Sequence, residues 1–540
     1  MFTARRKAVK MAFYQVPKDE SLDNLVYNRA IKKPVDEKAF LLEAGQGRNI
    51  NGNVFALLRY IRSCTEFDDH KVMLSVVSEK HSDALTKLKK YCIGNVDIID
   101  FGGHAYRHAL GTAKYLITDN SFPAYFYKRP EQVYLNTWHG TPLKALGRTD
   151  IDNAISIANV QANMAKADWL LHPNRFTKNI MMGDYMMERV FRHRTVIMDY
   201  PRNDALYREE FRDEIISRYE LEGKRIIAYM PTWRGVGRDA DSESQVLHTK
   251  EALSAMEKLL RDDEVLFVNL HFLIDRGIDY SEFEKVFAFP SEYETYDFLA
   301  VCDTLITDYS SVSVDFAGTG KDIVLYLYDY EEYKREKGFY LDVKELPFKQ
   351  AADMQELDEA LHSGHKEYSL EETLTCTDRG NSSERLIKLI TGRADASDYD
   401  IEDYGAKGSA PHIAYFDNIN RDDVQEILSS INQMPVSEGN EEASRPVIMF
   451  ATSMTPETIA TLKTFDRDTD FVRISGHLYC SNYEFRLLQL NRKFGLFKRK
   501  AEEIYDREAN RQIRQFRMSS FEVKQCRQLE RKNMLARVSR

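Results

Sequence analysis

The sequence is poor in cysteine and in long apolar runs, and these two shortages exclude several classes of protein. The 540 residues include six cysteines, and none are paired at the C-x-x-C spacing of a zinc ribbon or redox motif. Scattered cysteines do not make a disulfide framework, and they suit a reducing cytoplasm. No apolar run reaches the roughly 18 residues that a membrane-spanning helix needs. The basic N-terminus lacks the apolar segment of a secretory signal.

An excess of positive charge is also missing, since the formal net charge is -10. A chain of that charge is not attracted as a whole to nucleic acid, so no nucleic-acid partner is predicted. The composition is otherwise that of an ordinary globular protein, with 43% hydrophobic and 11% aromatic residues. The length exceeds what a single hydrophobic core organises and predicts about three domains.

Short apolar strands alternate with helical segments along most of the chain. This alternation predicts an α/β protein with parallel sheets covered on both faces, as two Rossmann-like domains that face a central crevice. A C-terminal extension follows them. The predicted parts are an N-terminal arm (1–38), a first domain (39–200), a second domain (201–392), a linker (393–411) and an extension of unknown role with a basic helical tail (412–540).

The stretch from Val133 to Gly147 is the most distinctive part of the first domain. A buried strand ends there in a polar loop, with Thr141-Pro142 where a helix could begin. The loop carries His139, which can exchange a proton near neutral pH. The carboxyl ends of parallel strands are where α/β proteins bind ligands. A turn with a hydrogen-bonded structural histidine is the equal alternative from this stretch alone.

Two other features of the first domain have weaker patterns. The Gly/Asn-rich loop over residues 45–53 follows a strand and precedes a helix, but it lacks the GxGxxG spacing of a dinucleotide site. Substrate contact and a plain turn are both open for it. His104 and His108 have the helical spacing of two zinc ligands, but the intervening glutamate and a third ligand are absent. Zinc therefore has little support.

Three strand ends in the second domain carry groups that suit phosphate. The predicted strands end before Thr232 and Arg234, before His271, and before Ser310-Ser311. A helix start presents free N–H groups and partial positive charge, and an arginine can bind phosphate through two hydrogen bonds. Helix capping, a surface ion pair and a core histidine are the alternatives for each feature alone. Their convergence on one crevice favours a pyrophosphate site, as in transfer from a nucleotide-diphosphate donor.

Four motifs follow one another across the two domains. They are Trp138-His-Gly-Thr-Pro-Leu-Lys144, Tyr229-Met-Pro-Thr-Trp-Arg234, Thr307-Asp-Tyr-Ser-Ser-Val312 and Gly380-Asn-Ser-Ser-Glu-Arg385. Together they resemble the CDP-glycerol glycerophosphotransferase family, which comprises teichoic-acid primases and polymerases with related ribitol-phosphate and capsule polymerases. The resemblance covers roughly residues 40–392. It implies the glycosyltransferase-B arrangement, with the donor in the second domain and the acceptor approaching from the first.

The resemblance also implies roles for residues at matching positions. His139 matches the family's catalytic base, and His271 matches a second essential histidine at the donor phosphates. His271 is followed by Phe-Leu-Ile, where many members have a proline. The implied donor-binding residues are Gly140, Thr141, Pro142, Arg202, Thr232, Arg234, Ser310, Ser311 and Asp315.

The implied reaction is attack by an acceptor hydroxyl on the phosphorus that bears the polyol, with CMP as leaving group. Such a transfer depends on in-line positioning and charge stabilisation. The implied substrates are CDP-glycerol or CDP-ribitol and a lipid-linked polymer, in teichoic acid or related cell-wall or capsule synthesis. No cofactor or protein-bound metal is expected, and Mg²⁺ accompanying the donor stays open. A nucleotide-sugar glycosyltransferase of the same architecture and a non-catalytic scaffold stay open as alternatives.

A lipid-linked acceptor implies an enzyme that works on the inner face of the cell membrane. Since no spanning segment is predicted, we expect a cytoplasmic protein bound peripherally to that surface. The tail from Arg492 interleaves basic residues with Phe494, Leu496 and Phe497, which suits an interfacial helix on anionic lipid. A solvated helix, or one packed on another domain, is the alternative.

Overall fold

The computed structural model describes three sheets, two of them parallel throughout and one with a single antiparallel edge strand, and the helices around them. Two large sheets confirm the predicted α/β class with two Rossmann-like domains, and the smaller third sheet lies in the C-terminal extension. The residues described are 21–150, 154–208, 210–232, 234, 242–376, 379–405, 413–416, 447–450, 455–465, 469–474 and 477–516.

The bounds of the elements follow the predicted alternation closely through the first two domains. The strands are β1 (Asp36–Glu43), β2 (Lys71–Val76), β3 (Val96–Asp100), β4 (Ala113–Thr118), β5 (Val133–Asn136), β6 (Trp169–His172), β7 (Arg194–Ile197), β8 (Arg225–Met230), β9 (Glu264–Val268), β10 (Val286–Ala288), β11 (Thr304–Thr307), β12 (Asp322–Tyr326), β13 (Lys349–Ala351), β14 (Asp400–Asp403), β15 (Ile413–Phe416), β16 (Val447–Phe450) and β17 (Phe471–Arg473). The helices are α1 (Ser21–Ala30), α2 (Gly52–Ser63), α3 (His81–Lys90), α4 (His104–Thr112), α5 (Ala154–Met164), α6 (Arg175–Asp184), α7 (Met187–Val190), α8 (Asp204–Arg208), α9 (Arg212–Arg218), α10 (Ser242–Glu257), α11 (Phe272–Asp275), α12 (Thr295–Val301), α13 (Val312–Ala317), α14 (Tyr330–Lys337), α15 (Met354–His362), α16 (Ser382–Ile390), α17 (Pro456–Leu462), α18 (Asn482–Phe494) and α19 (Lys498–Arg514).

Both large sheets have the strand order of dinucleotide-binding folds. The first runs β3-β2-β1-β4-β5-β6-β7 with parallel neighbours, and β14 is added antiparallel beyond β7. The second runs β10-β9-β8-β11-β12-β13 and is parallel throughout. The order reverses between β1 and β4 in one sheet and between β8 and β11 in the other. Ligands bind at the carboxyl ends of strands beside such a reversal, so the topology selects one edge of each sheet.

The chain returns to the first domain after it has built the second. Helix α16 buries Leu386 and Ile387 in the same apolar cluster as strand β1. Strand β14 lies inside the segment predicted as a linker and pairs with β7 from Asp400 to Asp403. Its sequence, Asp-Ile-Glu-Asp, lacks an apolar pattern because it forms a sheet edge held partly by ion pairs, such as Arg194 Nε to Asp403 Oδ2 at 3.0 Å.

Part of the segment predicted as an N-terminal arm (1–38) packs on the first domain. Residues 1–20 lie outside the described part, but α1 packs on the first domain and β1 already begins at Asp36. Tyr27 is fully buried, and its hydroxyl donates to the Tyr127 carbonyl at 3.1 Å and accepts from the Tyr127 amide at 2.8 Å. A single buried aromatic among polar residues gives no periodic signal, which is why the pattern did not predict this contact.

The C-terminal extension packs against the first domain. Strands β15, β16 and β17 form its parallel sheet, and the β16 side chains share an apolar cluster with residues of α5 and β4. The Gln161 amide donates to the Phe471 carbonyl at 2.7 Å, and the Asn28 amide donates to the Leu478 carbonyl at 2.9 Å. Among the helices described, none is long and apolar enough to cross a bilayer. Phe494, part of the predicted basic tail, is the exposed last residue of α18.

Candidate active site

His139 lies just beyond the end of β5, and two neighbours fix the orientation of its ring. Nδ1 lies 2.8 Å from the backbone carbonyl oxygen of Asp119. Because a carbonyl only accepts, Nδ1 carries the proton, and Nε2 of the neutral ring keeps its lone pair. The ring stacks on Trp138 with centroids 4.2 Å apart, and Trp138 itself has a φ of 52°. A non-glycine residue in the left-handed region has a strained backbone, and such strain is common at functional sites.

The loop after His139 does not begin a helix, so that prediction is wrong. Its backbone pairs with the second domain instead: the Ala145 amide donates to the Gly338 carbonyl at 3.2 Å, and the Tyr340 amide donates to the Leu143 carbonyl at 2.9 Å. The Leu143 side chain is buried in the apolar cluster of the second domain. The loop therefore satisfies backbone groups across the crevice, in place of the hydrogen bonds of a helix.

Thr141 and Pro142, which were predicted to line the donor, are buried residues of this loop. The Thr141 hydroxyl lies 3.4 Å from the side-chain amide of Asn174 and 3.4 Å from the Thr177 hydroxyl. Asn174 also caps helix α6, since its side chain accepts from the Thr177 amide at 2.9 Å. In this arrangement Thr141 anchors the His139 loop to the first domain.

Gly140 brings the His139 loop directly against the second domain. A Cβ at this position would lie 2.5 Å from the Ser311 Oγ, so the approach requires glycine. Ser311 precedes helix α13 but makes no side-chain capping hydrogen bond, while the Ser310 Oγ lies 3.4 Å from the Val312 amide. The Ser311 hydroxyl therefore faces the loop of the first domain and is not used as a helix cap.

Arg202 joins the two sides of the crevice. Its Nη1 donates to the His139 carbonyl at 2.8 Å, and its Nη2 pairs with the Asp315 Oδ2 at 2.6 Å. The Tyr296 hydroxyl donates to the same oxygen at 2.6 Å. Burial disfavours the charged guanidinium, but Asp315 together with Tyr296 and Tyr200 outweighs burial and raises the pKa of Arg202. The predicted donor-binding Arg202 and Asp315 thus pair with each other, so that the Asp315 carboxylate balances the guanidinium charge behind His139.

Thr232 and Arg234 are held together by two carboxylates. Asp308 accepts from the Thr232 amide at 2.9 Å, from the Thr232 hydroxyl at 2.6 Å and from Arg234 Nη2 at 2.8 Å. Asp329 accepts from Arg234 Nε at 2.6 Å, and the guanidinium lies 5.0 Å from the centroid of the Tyr309 ring. The arginine is therefore rigidly oriented at the carboxyl ends of β8 and β11, with much of its charge balanced by these acids.

His271 follows β9 and immediately precedes the short helix α11. The side chain is half-buried, and burial lowers the pKa of its imidazole, which is therefore neutral at pH 7. Because β9, β8 and β11 are adjacent in the sheet, His271 and Thr232 share one edge with Ser310. The topology thus brings the three predicted strand ends to the same side of the second domain.

Sequence reasoning missed two residues that position this site. Asp119 holds His139 through its main chain, while its carboxylate accepts from the Gly45 amide at 2.8 Å. The Asn53 amide donates to the Trp138 carbonyl at 3.2 Å, and its side-chain oxygen accepts from the Arg202 amide at 3.3 Å. Asn53 belongs to the Gly/Asn-rich loop for which substrate contact was one interpretation. The sequence therefore indicated the loop, but it did not indicate the partners of Asn53.

The zinc interpretation of His104 and His108 gains nothing from the structure. Nε2 of His108 lies 3.1 Å from the Lys33 ammonium nitrogen. A cation at that nitrogen is incompatible with a second cation bound there. Within the described ranges no three His, Cys, Asp or Glu side chains are grouped as metal ligands.

Comparison with known proteins gives consistent matches over both domains. The family model described as CDP-glycerol:poly(glycerophosphate) glycerophosphotransferase matches residues 25–392. A teichoic acid poly(glycerol phosphate) polymerase of Bacillus spizizenii is 26% identical over 383 residues, which are 66% of this chain and 93% of that protein. A teichoic acid glycerol-phosphate transferase of Staphylococcus aureus is 30% identical over 335 residues, 59% of this chain and 82% of that protein.

The fold is similar to that of a solved polymerase. A variant of the wall teichoic acid polymerase TagF, soaked for 30 minutes with CDPG, superposes with a TM-score of 0.55 and 25% sequence identity. The superposition covers 68% of this chain and 93% of that one.

Proposed function

This chain belongs to the CDP-glycerol:poly(glycerophosphate) glycerophosphotransferase family, and we propose that it transfers glycerol phosphate from CDP-glycerol to a hydroxyl of an acceptor polymer, releasing CMP. It is a transferase of this type, since the family match spans both domains. The observation that carries the proposal is the orientation of His139, whose Nε2 is left with a lone pair at the crevice. The TagF variant soaked with CDPG makes that compound the first donor to test.

In the proposed reaction Nε2 of His139 takes the proton of the acceptor hydroxyl. The freed oxygen forms a bond to the phosphorus that carries glycerol, and the bond from that phosphorus to the bridging oxygen breaks. CMP leaves with the electron pair. The Asp119 carbonyl accepts from Nδ1–H and stabilises the imidazolium that forms.

The second domain would hold the donor pyrophosphate at the shared edge of β8, β9 and β11. The Ser310 and Ser311 hydroxyls and the N–H group of Arg234 Nη1 that is not bonded to the Thr232 carbonyl are hydrogen-bond donors for phosphate oxygens there, while both donors of Thr232 are bonded to Asp308. The neutral His271 is suited to gain a proton as negative charge develops on the leaving phosphate. Arg202 donates to the His139 carbonyl and so holds that peptide in place. A Mg²⁺ ion carried by the donor is compatible with this arrangement.

The acceptor is proposed to be a lipid-linked polymer, which would place the protein on the inner face of the cell membrane. Support comes from Phe494 at the end of α18 and from Leu496 and Phe497 in the connection to α19, which are exposed beside basic residues. An amphipathic surface of this kind binds anionic lipid through apolar insertion and charge.

The decisive experiment measures CMP release by the purified full chain from CDP-glycerol and from CDP-ribitol, with a glycerol-phosphate-primed acceptor. We expect His139→Ala to lower the rate by about 10²–10⁴-fold, the usual contribution of a general base. His248→Ala is the matched control, because His248 is an exposed histidine of α10 that pairs only with Glu251 among the described residues. Activity that survives in His139→Ala would refute the assignment, and UDP release from nucleotide sugars would favour the glycosyltransferase alternative.

A further inference from the structure

A cleft of about 370 Å³ opens between the Gly/Asn-rich loop, helix α3 and the second domain. The reaction described above does not use it. Its charged lining residues are Arg48 of the loop, Lys80, Asp83 and Lys87 at α3, and Glu292 of the second domain.

The acidic side chains of the cleft already have cationic or hydroxyl partners. Asp83 pairs with Lys80 at 2.7 Å. Glu292 accepts from the Tyr219 hydroxyl at 2.6 Å and pairs with Arg218, which lies outside the cleft, at 3.2 Å. The charges left over in the cleft are therefore positive, in a chain whose net charge is -10.

Arg48 and Lys87 supply that positive charge. Among the residues that the structure describes, Arg48 bonds the Gln46 side-chain oxygen at 3.3 Å, and the Lys87 ammonium lies 4.8 Å from the centroid of the Phe55 ring. Neither has a carboxylate at ion-pair distance in that part of the chain. A half-buried ammonium without a counter-ion is costly, and an anionic ligand would remove the cost.

Lys87 is the more informative of the two cations because it is half-buried. Burial lowers the pKa of its amine, and the more distant carboxylates of Glu294 and Asp297 only partly oppose this. Both acids are engaged elsewhere: Glu294 accepts from the Gly52 amide at 2.9 Å, and Asp297 pairs with Arg59 at 2.9 Å. The Lys87 amine thus remains available to an anion that enters the cleft.

The Gly/Asn-rich loop that lines the cleft is also bonded to residues of the reaction centre. At one end of this loop the Gly45 amide bonds the carboxylate of Asp119, whose carbonyl holds His139. At the other end Asn53 bonds the Trp138 carbonyl. Arg48 of the cleft therefore lies on the same loop whose two ends are bonded around His139.

We propose that this cleft binds the phosphodiester backbone of the acceptor, with Arg48 and Lys87 each pairing with a phosphate behind the terminal hydroxyl. The inference rests on the proposed function and adds to it a subsite for the growing chain. An acceptor long enough to occupy the cleft gains affinity, whereas one with a single phosphodiester does not reach it. The donor is bound on the other side of His139 and is unaffected.

The test compares the full-length wild-type chain with Arg48→Gln/Lys87→Gln, using synthetic acceptors with one and with several glycerol phosphate units. We expect KM for the long acceptor to rise about tenfold for each lost charge-assisted pair. The KM for CDP-glycerol, kcat, and KM for the short acceptor stay unchanged. Lys89→Gln is the matched control, since Lys89 is exposed on α3 but does not line the cleft. An unchanged KM for the long acceptor, or an equal effect on the short one, would overturn the proposal.

A direct binding measurement separates this inference from the proposed reaction. Fluorescence anisotropy of labelled poly(glycerol phosphate) is recorded without any donor, so it reports on the cleft even if no CMP is released. We expect weaker binding by the double variant than by the wild type. Equal binding by the two proteins, or equal binding of a single-stranded oligonucleotide of the same charge, would show that the cleft is not an acceptor subsite.

Discussion

A buried carboxyl beneath the reaction centre makes the stability of the protein depend on pH in a way that can be calculated. Glu43, the last residue of β1, is fully buried. The hydroxyls of Tyr106 and Ser75 and the carboxylate of Asp119 are its polar neighbours. Burial raises the pKa of Glu43 from its ordinary 4.5 to about 8, with a smaller contribution from the charge of Asp119. The folded protein therefore keeps this group protonated at neutral pH.

The sign of the effect follows from proton counting. Between pH 4.5 and about 8 the folded chain holds the Glu43 proton and the unfolded chain does not. Stability therefore falls as pH rises through this interval, by about 1.4 kcal/mol per pH unit. Between pH 5 and pH 8 the contribution of Glu43 to the free energy of unfolding declines by about 4 kcal/mol.

Glu43→Gln removes the titration and keeps the shape of the side chain. Urea unfolding of both proteins, followed by circular dichroism at pH 5, 6, 7 and 8, gives their difference in unfolding free energy at each pH. We expect the free energy of unfolding of the variant, relative to that of the wild type, to rise by about 4 kcal/mol from pH 5 to pH 8. Burial also brings the pKa of Asp199 and of Lys166 to about 7, but both residues are common to the two proteins and cancel. Parallel pH profiles would refute the reasoning.

Two further substitutions test contacts around His139. In Gly140→Ala the new Cβ would lie 2.5 Å from the Ser311 Oγ and push the two domains apart at this contact. We therefore expect a loss of CMP release with little change in melting temperature. A fully active Gly140→Ala enzyme would mean that the two domains do not meet there during the reaction. Asn174→Ala removes the cap that accepts from the Thr177 amide, and we expect a loss of about 1 kcal/mol in urea unfolding. An unchanged unfolding midpoint would show that the cap is energetically unimportant.

The helices and strands that could be predicted are those with a continuous or periodic pattern of apolar residues in the local sequence. Strand β5 and helix α2 both have continuous or periodic apolar residues, and both were placed correctly. Strand β14 was not, because an edge strand with acidic residues depends on partners far away in sequence. Arg175 and Lys178 of α6, for example, lie beside Asp400 and Glu402.

The candidate site was only partly accessible for a related reason. His139, His271 and the serines stand at strand ends, where residue type and topology together suggest a role. The contact that orients His139 is a backbone carbonyl, which every residue has, so no pattern could single out Asp119. Arg202 likewise bonds the His139 carbonyl of the first domain and pairs with Asp315 of the second, contacts that only the folded chain brings together.

The return of α16 and β14 to the first sheet has a consequence for synthesis on the ribosome. The core around β1 lacks Leu386 and Ile387, and the sheet lacks its last strand, until translation has passed Asp403. All strands of the second domain's sheet precede α16 in the sequence, so that sheet can close earlier. The usual order of vectorial folding, in which the N-terminal domain finishes first, is therefore reversed in this chain. The incomplete first domain must stay soluble while the ribosome synthesises the second domain. The C-terminal sheet, which packs on helices of the first domain, is synthesised later still.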